Sequence, residues 1–421
     1  MMLISAGYTN TAVILGILNP TGITLTLEQL QPNCFPMDFN LEFKKWFIRI
    51  SYDHWSFRIT PIRFFLILLS LLTAAIMLYR FAFGLQSVAN LNDHWPWGLW
   101  KGWAVFAGAA LAGGGYGTTF LVHILHIERL KIISHRTLLI SLLGYTLMLV
   151  GLFTEIGRWF NFWRPYVSWG HESALFEVFW CVSLYFIIQV LELGEIVTEK
   201  VFRRVHWFFV RFFPVFAVIG VMLPTLHQSS LGAIYLMTDG RLHPLWWSPL
   251  IFLFFFLSSL FVGPAMLVME SVLVGFAFGH KTSIDALKLL ARIGGGIMIL
   301  YLALKIGDLV VHNETGLLFD GSFESVAFIA EHLFGVVIPI LIVFSPLINY
   351  RGWIITYGFL TSAGVFANRM NVVITGMTRD AGVIYCPTLC EVIISFGLVS
   401  TVLLIYLFLC ENFNILVKEK E

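Results

Sequence analysis

The sequence predicts an all-α integral membrane protein with about ten transmembrane helices. Hydrophobic residues make up 58% of the 421 residues, and the mean hydropathy is +0.84. Charged residues make up only 12%, about half of their usual share in soluble globular domains. The 40 Phe and 14 Trp residues fit lipid-facing surfaces and interfacial aromatic belts. A net charge of +1 gives no reason to expect nucleic acid as a partner.

Several stretches are long and apolar enough to cross a bilayer, which takes about twenty residues. Spans 2–5 and spans 6–9 would form two four-helix bundles, an economical packing for such helices. Spans 1 and 10 would lie outside the bundles. The predicted spans are residues 62–84, 98–125, 137–158, 172–196, 206–227, 247–276, 287–311, 324–347, 351–374 and 391–411.

The positive charges predict the orientation of the chain in the membrane. Most of the 26 Lys and Arg residues lie in the N-terminal arm, the C-terminal tail and the even-numbered connections, and such residues collect on the cytoplasmic side. We therefore expect an arm of residues 1–60, a transmembrane domain of residues 61–415 and a tail of residues 416–421, with both termini cytoplasmic. The odd-numbered connections would face the periplasm. They are rich in Trp, Gly and Pro and resemble a docking surface.

Within the arm, apolar residues recur at helical spacing with basic residues between them. This pattern predicts a short amphipathic helix that lies in the headgroup region, and a simple solvated arm is the alternative. The apolar members are Phe43, Trp46, Phe47 and Ile50, and the basic ones are Lys44, Lys45 and Arg49.

The cysteines do not predict a metal site. A structural metal or iron–sulfur site needs about four ligands, and no CxxC pair is present. Ordinary buried thiols are the simpler interpretation. The run 12–18 lacks a basic lead, so no cleavable secretory signal is expected. The five cysteines are Cys34, Cys181, Cys386, Cys390 and Cys410.

A polar stretch at the end of span 5 is the first candidate site. His227, Gln228, Ser229 and Ser230 follow Pro224 directly after a long apolar run. So many hydrogen-bonding groups are costly near lipid and usually mark a functional site. A helix end whose polar residues meet water is the alternative.

Intramembrane polar residues fall into three sets by predicted depth, and each should face inward. The first set lies at the outer level of spans 3–5, where Glu155 and Arg158 have the i, i+3 spacing of a helical ion pair. Structural ion-pair networks are the alternative, favoured for the second set. The third set would relay protons or reach cytoplasmic water. The sets are Glu155, Arg158, Glu177, His227 and Gln228; then Lys305, Asp308, Glu331, His332, Asn368 and Arg369; then His123, Glu192, Glu195 and Glu270.

Small residues crowd span 2, where three glycines stand at 113–115 before Tyr116. Such a run leaves space beside the backbone for a flat ligand. Close helix packing is the commoner explanation.

These residues resemble the NrfD-like family, the membrane subunits of polysulfide-reductase-type complexes. The similarity extends from about residue 65 to residue 410. Its most specific parts, 223–232 and 242–246, resemble the HybB-like branch, the membrane subunits of periplasm-facing nickel–iron hydrogenases and related quinone reductase complexes. The other matching stretches are 84–92, 95–100, 113–116, 157–159, 175–177 and 191–192.

The resemblance implies a quinone-reactive subunit of the bacterial or archaeal inner membrane without its own haem or iron–sulfur cluster. It implies a periplasmic, ferredoxin-like iron–sulfur partner and a catalytic subunit such as a nickel–iron hydrogenase, a molybdopterin-type subunit or a multihaem cytochrome. Electrons would pass between that partner and menaquinone or ubiquinone. Proton translocation would accompany this transfer if the deeper polar residues form a path.

A quinone that takes two electrons also takes two protons, so its site needs hydrogen-bond donors, titratable groups and an apolar slot. The chain departs from the family pattern at two positions. Glu155 stands where the family often has Asp, and Asp308 where it often has Glu, so each acid is kept while its side-chain length changes by one methylene. The residues expected to act on the quinone are Glu155, Arg158, Glu177 and His227. Those expected to bind it are Trp97, Gly114, Tyr116, His227 and Gln228. The expected proton path is His123, Glu192, Glu270, Lys305 and Asp308.

Two other functions fit parts of the sequence. A secondary transporter or ion channel would also pair helical bundles with buried charges, although the broad Trp-rich outer connections suit it less. A di-haem cytochrome b would need axial ligands at matched depth on facing helices. His227 offers such a ligand in the first bundle, and His332 and His312 in the second.

Overall fold

A computed structural model of the chain describes residues 17–19, 22–26, 39–44, 47–52, 55–95, 97–168, 170, 172–200, 202–279, 282–413 and 415–416. Long helices dominate these residues, which confirms the predicted all-α membrane class. The long helices are α1 Pro61–Phe83, α2 Lys101–Ile124, α3 Ser134–Glu155, α4 Ala174–Lys200, α5 His206–Ala233, α6 Ile251–Phe278, α7 Ile284–Val311, α8 Phe323–Phe344, α9 Arg351–Val373 and α10 Leu389–Asn412.

Short helical turns join the long helices. They are Leu85–Ser87, Glu128–Ile133, Trp159–Asn161, Arg164–Val167, Ile234–Thr238, Thr315–Phe319, Pro346–Asn349, Thr375–Met377 and Thr378–Ala381. Helix α2 itself is irregular, because π-helical turns at Lys101–Ala107 and Phe120–Ile124 enclose its glycine-rich centre. Single π-helical turns inside α-helices often occur at functional sites.

Within the described residues, nine of these helices have the length and apolar composition of a membrane span. Helix α9, which corresponds to predicted span 9, is the one long helix outside these nine. It has 23 residues, but the polar Asn368 and the charged Arg351 and Arg369 lower its hydropathy. Arg369 is buried, so α9 directs this polar residue into the protein rather than toward lipid.

Helix α6 lies at the centre of the helix packing and α1 at its edge. In its most apolar 18-residue window, 72% of α6 is buried, against 11% for α1. Helix α6 packs against α2, α5, α7 and α9, whereas α1 packs chiefly against α10. Helix α3 contacts α2 and α4, and α8 contacts α7 and α9. The division into two separate four-helix bundles and the cytoplasmic location of both termini remain predictions.

Local sequence signals explain where several helices begin and end. The Thr60 hydroxyl accepts a hydrogen bond from the Arg63 amide at 3.3 Å and Pro61 occupies the first turn, so α1 begins there. Thr388 and Glu391 form a reciprocal capping box that starts α10. Helix α6 ends at Gly279, whose φ of 70° is a left-handed conformation that glycine adopts without strain.

The predicted amphipathic helix in the N-terminal arm is wrong, because these residues form a β-sheet. Five antiparallel strands follow one another in the order β1 to β5. Apolar and polar residues alternate along β3 and β4, and this period of two is typical of a strand. Some of the same apolar positions also fit helical spacing, which led to the prediction of a helix. Lys45 and Trp46 lie outside the described residues. The strands are β1 Ile17–Asn19, β2 Gly22–Thr26, β3 Phe39–Lys44, β4 Phe47–Tyr52 and β5 Trp55–Ile59.

The cysteines differ in burial. Cys181, Cys386, Cys390 and Cys410 are free thiols, and of these only Cys410 is buried while Cys386 is exposed. Cys34 lies outside the described residues. The prediction of buried thiols is therefore confirmed for Cys410 and wrong for Cys386, which lies in the connection before α10.

Candidate functional site

His227 and Gln228 lie inside the helix packing rather than at a water-exposed helix end. Both side chains are 0% exposed, and neither ring nitrogen of His227 has a hydrogen-bond partner among the described residues. The Gln228 amide nitrogen donates to the Ala109 carbonyl oxygen at 2.9 Å and to the Tyr145 hydroxyl at 3.2 Å. Its amide oxygen has no described partner. Such unsatisfied buried groups are rare and call for a physical explanation.

A polar column continues from this point between α3 and α4. The Tyr145 and Tyr185 rings meet edge to face with centroids 4.6 Å apart, and the Tyr145 ring lies 5.8 Å from that of His227. The Tyr185 hydroxyl lies 3.2 Å from the Ser141 hydroxyl, and the Gln189 amide donates to that same hydroxyl at 2.5 Å. Side chains from α3, α4 and α5 thus form one buried network.

This column was not predicted from the sequence. Its members are uncharged, so they barely lower the hydropathy of a span. A usable signal was present, because Ser141 and Tyr145 are separated by four residues, as are Tyr185 and Gln189. Residues at this spacing share one face of a helix.

Glu192 lies at the deeper end of the column. It is 2% exposed, and its Oε1 atom has no partner among the described residues. A Cβ atom at Gly220 would lie 2.7 Å from that oxygen, so glycine at this position of α5 makes room for the carboxyl group. Tyr185 is close enough to interact electrostatically with Glu192.

Glu177 lies at the opposite end, in the first turn of α4, and is exposed. The Ser230 hydroxyl donates to its Oε1 atom at 2.6 Å. Ser230 follows His227 by three residues on α5, so the two residues lie on one helix face. The predicted neighbourhood of Glu177 and His227 is thus present, with Ser230 between them.

Glu155 and Arg158 do not form the predicted ion pair. Helix α3 ends at Glu155 and the chain becomes extended at Ile156, with a ψ of 115°, so the two residues no longer share a helix face. Glu155 is buried and neither carboxyl oxygen accepts a hydrogen bond from a described side chain, while Arg158 is exposed. Lys101 is the cation that acts on Glu155 electrostatically. The sequence analysis missed Lys101.

The residues predicted to enclose the ring of a ligand are dispersed. The Trp97 and Tyr235 rings meet edge to face with centres 5.6 Å apart, and the Lys101 ammonium is 5.4 Å from the Trp97 ring centre. The Tyr116 hydroxyl bonds with that of Ser259 at 2.7 Å, on α6 rather than beside His227. Gly114 lies within α2. A Cβ atom on its neighbour Gly115 would collide with Ser141, which supports close helix packing as one role of the glycine run.

The remaining members of the predicted proton path lie in separate places. The His123 Nε2 atom lies 3.2 Å from the Ser134 hydroxyl, near the start of α3. Glu270 forms an ion pair with Arg136 at 3.5 Å and accepts a hydrogen bond from Tyr406. Glu270 thus joins α6 to α3 and α10, an arrangement that also stabilises the helix packing.

Lys305 and Asp308 do form the predicted i, i+3 ion pair, at 3.7 Å on α7. Both side chains are buried. Asp308 also accepts a hydrogen bond from the Ser248 hydroxyl at 2.7 Å, and the Lys305 ammonium lies 4.8 Å from the Phe254 ring centre.

Glu331 is the centre of a second buried cluster. It accepts hydrogen bonds from Trp246 Nε1 at 3.0 Å, Asn368 at 2.9 Å and Asn371 at 2.5 Å. The neighbouring His332 donates from Nδ1 to the Phe328 carbonyl oxygen at 2.9 Å and stacks on Tyr301. Because three donors satisfy Glu331, this cluster fits the structural role that the sequence favoured for it.

A series of aromatic contacts extends from Lys101 to the Glu331 cluster. The Trp97 ring meets Tyr235, whose ring centre is 5.9 Å from that of Phe255. The Arg369 guanidinium lies 3.7 Å from the Phe255 ring centre and donates to Asn368 at 2.6 Å. Two small cavities border this end of the series, one beside His332 and one beside Lys305.

The site contains no recognisable metal centre in the part of the chain that the structure describes. No three His, Cys, Asp or Glu residues there are grouped closely enough to bind a metal ion. The unsatisfied groups at His227 and Gln228 instead fit an organic ligand with polar oxygens on a flat ring. A ring nitrogen of His227 that carries hydrogen would donate to such an oxygen, and the Gln228 amide oxygen would accept from a hydroxyl group.

Three relatives share most or a large part of the chain. A protein of Nitratidesulfovibrio vulgaris whose name states no function is 30% identical over 349 residues, 80% of this chain and 89% of the relative. The probable Ni/Fe-hydrogenase 2 b-type cytochrome subunit of Escherichia coli is 28% identical over 351 residues, 80% of this chain and 88% of the relative. The menaquinone reductase integral membrane subunit of Nitratidesulfovibrio vulgaris is 30% identical over 261 residues, 56% of this chain and 61% of the relative. The chain matches no family model.

Proposed function

The chain belongs to the NrfD/HybB-like family of multi-pass inner-membrane subunits of redox complexes, and from this we propose that it is the quinone-reactive subunit of such a complex. Its partner would be an iron–sulfur subunit docked on the periplasmic face and linked to a catalytic subunit. Electrons would pass between that partner and menaquinone or ubiquinone. The observation that carries the proposal is the buried, unpartnered imidazole of His227 beside Gln228 and Tyr145.

His227 and Gln228 would hold the quinone ring. A bound quinone supplies a two-electron acceptor whose oxygens gain protons as it is reduced. The Gln228 amide is oriented by Ala109 and Tyr145, so its unpartnered oxygen has a defined direction. Because the Tyr145 hydroxyl accepts from Gln228, its own hydrogen remains available to another acceptor.

Glu177 would exchange protons between this site and the outer aqueous phase. Glu177 is exposed and accepts a hydrogen bond from Ser230, which lies one helical turn from His227 on α5. A carboxylate that reaches water and contacts a hydroxyl within the helix packing can deliver or accept a proton at the edge of a closed site.

Glu155 and Lys101 would act together at the outer end of α2 and α3, and Arg158 would act separately. No described side chain donates to the carboxyl oxygens of Glu155, while Lys101 acts on the carboxylate electrostatically. The exposed Arg158 is placed to contact a docked subunit. We therefore assign Arg158 to partner binding rather than to the control of Glu155.

The column from Tyr145 to Glu192 would carry protons deeper into the membrane. Hydroxyl, amide and carboxyl groups follow one another along α3 and α4, as a proton relay requires. Glu270, His123 and the Lys305–Asp308 pair stand apart from the column. Any part that they have in proton movement would need intervening water.

The test is quinone-coupled turnover of the intact complex that carries His227→Ala. General acid–base groups contribute about 10²–10⁴ in rate, so quinone turnover should fall at least about a hundredfold while electron transfer to a soluble acceptor remains. Ser229→Ala is the matched control, because among the described residues the Ser229 hydroxyl donates only within its own helix, to the Thr225 carbonyl oxygen. Normal quinone turnover in His227→Ala would refute the assignment.

A further inference from the structure

The N-terminal sheet is held close to the membrane by its connection to α1. Strand β5 ends at Ile59 and α1 begins at Pro61, so only Thr60 separates them. One residue of chain spans at most about 3.6 Å. The first residues of α1 face outward, with Ile62 75% and Phe64 63% exposed, as expected where a span enters lipid.

Two polar residues at the end of α10 attach the sheet to the helices. The Ser56 amide donates to Asn412 Oδ1 at 2.8 Å, and Asn412 Nδ2 donates back to the Ser56 carbonyl oxygen at 2.8 Å. The side chain of Asn412 thereby continues the hydrogen bonding of the sheet at the β5 edge. Glu411 accepts from the Arg58 amide at 3.4 Å and pairs with Arg63 at 2.8 Å. These contacts cover the edge, which otherwise invites pairing with another chain.

The aromatic side chains of β5 show which face of the sheet packs on α10. Trp55 stacks on Phe408 with ring centres 5.8 Å apart, and Phe57 meets the same ring at 6.4 Å. Phe408 belongs to the last turns of the membrane-spanning helix α10. The face that carries Trp55 and Phe57 therefore packs on the membrane-embedded part of the protein.

The register of the strands extends this apolar face away from the helices. Ile50 pairs with Phe57, and Ile48 pairs with Ile59. Residues at alternate positions of a strand share a face. Paired residues on neighbouring strands also share a face, so the register shows which positions of the next strand lie on the same side. The backbone register continues into β3, where position 41 pairs with Ile50 and position 43 with Ile48.

The register places mostly polar residues on the opposite face, with Phe47 as an exception in β4. Arg49 pairs with Arg58 and with Glu42, and Ser51 pairs with Ser56. The sheet is therefore amphipathic, with one apolar face and one charged and hydroxyl-bearing face.

We propose that the N-terminal sheet lies flat on the membrane surface where α1 begins and α10 ends, with its apolar face in the headgroup region. The charge pattern assigns that surface to the cytoplasmic side. The bilayer is the occupant because the apolar face continues directly from aromatic packing on a membrane span and is one residue from the start of another. Amphipathic elements of this kind insert about 5–10 Å into the boundary between headgroups and acyl chains.

The test is a nitroxide scan of β4 in the full-length protein reconstituted in lipid vesicles, with the native cysteines replaced. Single labels at Ile50→Cys and Ser51→Cys report opposite faces of one strand. Collision with dissolved oxygen, which concentrates in lipid, should dominate at position 50. Collision with a water-soluble nickel chelate should dominate at position 51. Ile48→Cys and Arg49→Cys repeat the comparison on the same strand.

Two results would overturn the proposal. Exposure of both faces to the nickel chelate would place the sheet in water. Protection of position 50 from both reagents would show that protein, and not lipid, covers the apolar face. If the spectrum of one labelled variant shows a freely mobile nitroxide, the strand is disrupted at that position. The contrast between the two faces is then read from the other pair of labelled positions.

Discussion

The amide of Gln228 donates to the hydroxyl of Tyr145 across 3.2 Å and so joins α5 to α3 beside His227. The same amide also donates to a backbone oxygen of α2. One side chain thus fixes three helices around the unpartnered imidazole. A ligand bound to His227 would meet hydrogen-bonding groups whose positions are set before it arrives, which lowers the cost of ordering them on binding.

Tyr145→Phe should weaken quinone binding without loss of the fold. The substitution removes the hydroxyl that Gln228 reaches, while the Ala109 carbonyl oxygen still accepts from the amide. One neutral hydrogen bond is worth about 1 kcal/mol, so the quinone KM should rise roughly fivefold. Steady-state titration with a short-chain quinone measures this KM. Tyr357→Phe is the control, since that buried hydroxyl has no described partner; an equal effect of both variants would contradict the prediction.

Glu155→Gln and Arg158→Ala should have different effects, because the structure separates the two residues. Glu155→Gln should lower quinone turnover while the partner subunit remains bound. Arg158→Ala should instead reduce the amount of partner subunit that co-purifies, because its guanidinium is exposed at the outer end of α3. Rate measurements and subunit ratios from the same preparations distinguish them. If both variants lose quinone turnover and partner binding to the same extent, the predicted ion pair between Glu155 and Arg158 would be supported instead.

Glu391 should be important for stability at the outer connections. Its carboxylate accepts from the Tyr385 hydroxyl at 2.6 Å and from the Thr388 amide at 2.6 Å, and it reaches the Asn90 amide at 3.3 Å. Hydrogen bonds to a charged group contribute about 1.5–3 kcal/mol, so Glu391→Gln should lower the thermal midpoint of the complex in detergent. The exposed Glu172→Gln is the control. An unchanged midpoint would show that the amide replaces the carboxylate.

Hydropathy predicted the long helices because lipid imposes one requirement on every span, about twenty apolar residues with internal hydrogen bonds. Helix α9 shows the limit of that signal. It was predicted as a span, yet its polar residues lower its hydropathy, and only the structure shows that Arg369 is directed inward toward Phe255.

The candidate site was predicted less completely than the helices. His227 and Gln228 were found because imidazole and amide groups are conspicuous in an apolar run. The pairing of Glu155 with Arg158 failed because helical spacing has meaning only while the helix continues, and α3 ends at Glu155. Tyr145 and Tyr185 come from different helices, and the sequence alone does not give the rotation of one helix against another.

The name of the Escherichia coli relative, a b-type cytochrome subunit, makes haem content a direct test. We expect no haem absorption from the purified subunit, because the candidate axial ligands lie in different parts of the helix packing, with His227 beside Tyr145 and His332 beside Tyr301. His332 donates from Nδ1 to Phe328 and stacks on Tyr301, and His312 Nδ1 lies 2.9 Å from the Asp308 carbonyl oxygen. A reduced-minus-oxidised spectrum with the α-band of a b-type cytochrome would contradict this expectation.

Glu192→Gln should separate quinone chemistry from proton movement. The carboxyl group is buried below the tyrosine column, and α5 accommodates it at Gly220. If protons reach the quinone through this column, uncouplers should accelerate wild-type turnover in sealed vesicles because they remove an opposing membrane potential. The variant should retain electron transfer but lose that acceleration, since an amide does not carry the proton onward. Glu195→Gln, which changes a half-buried carboxylate one turn further along α4, is the matched control. If Glu192→Gln and wild type respond equally to uncouplers, protons reach the quinone by another route and the column serves only to pack the helices.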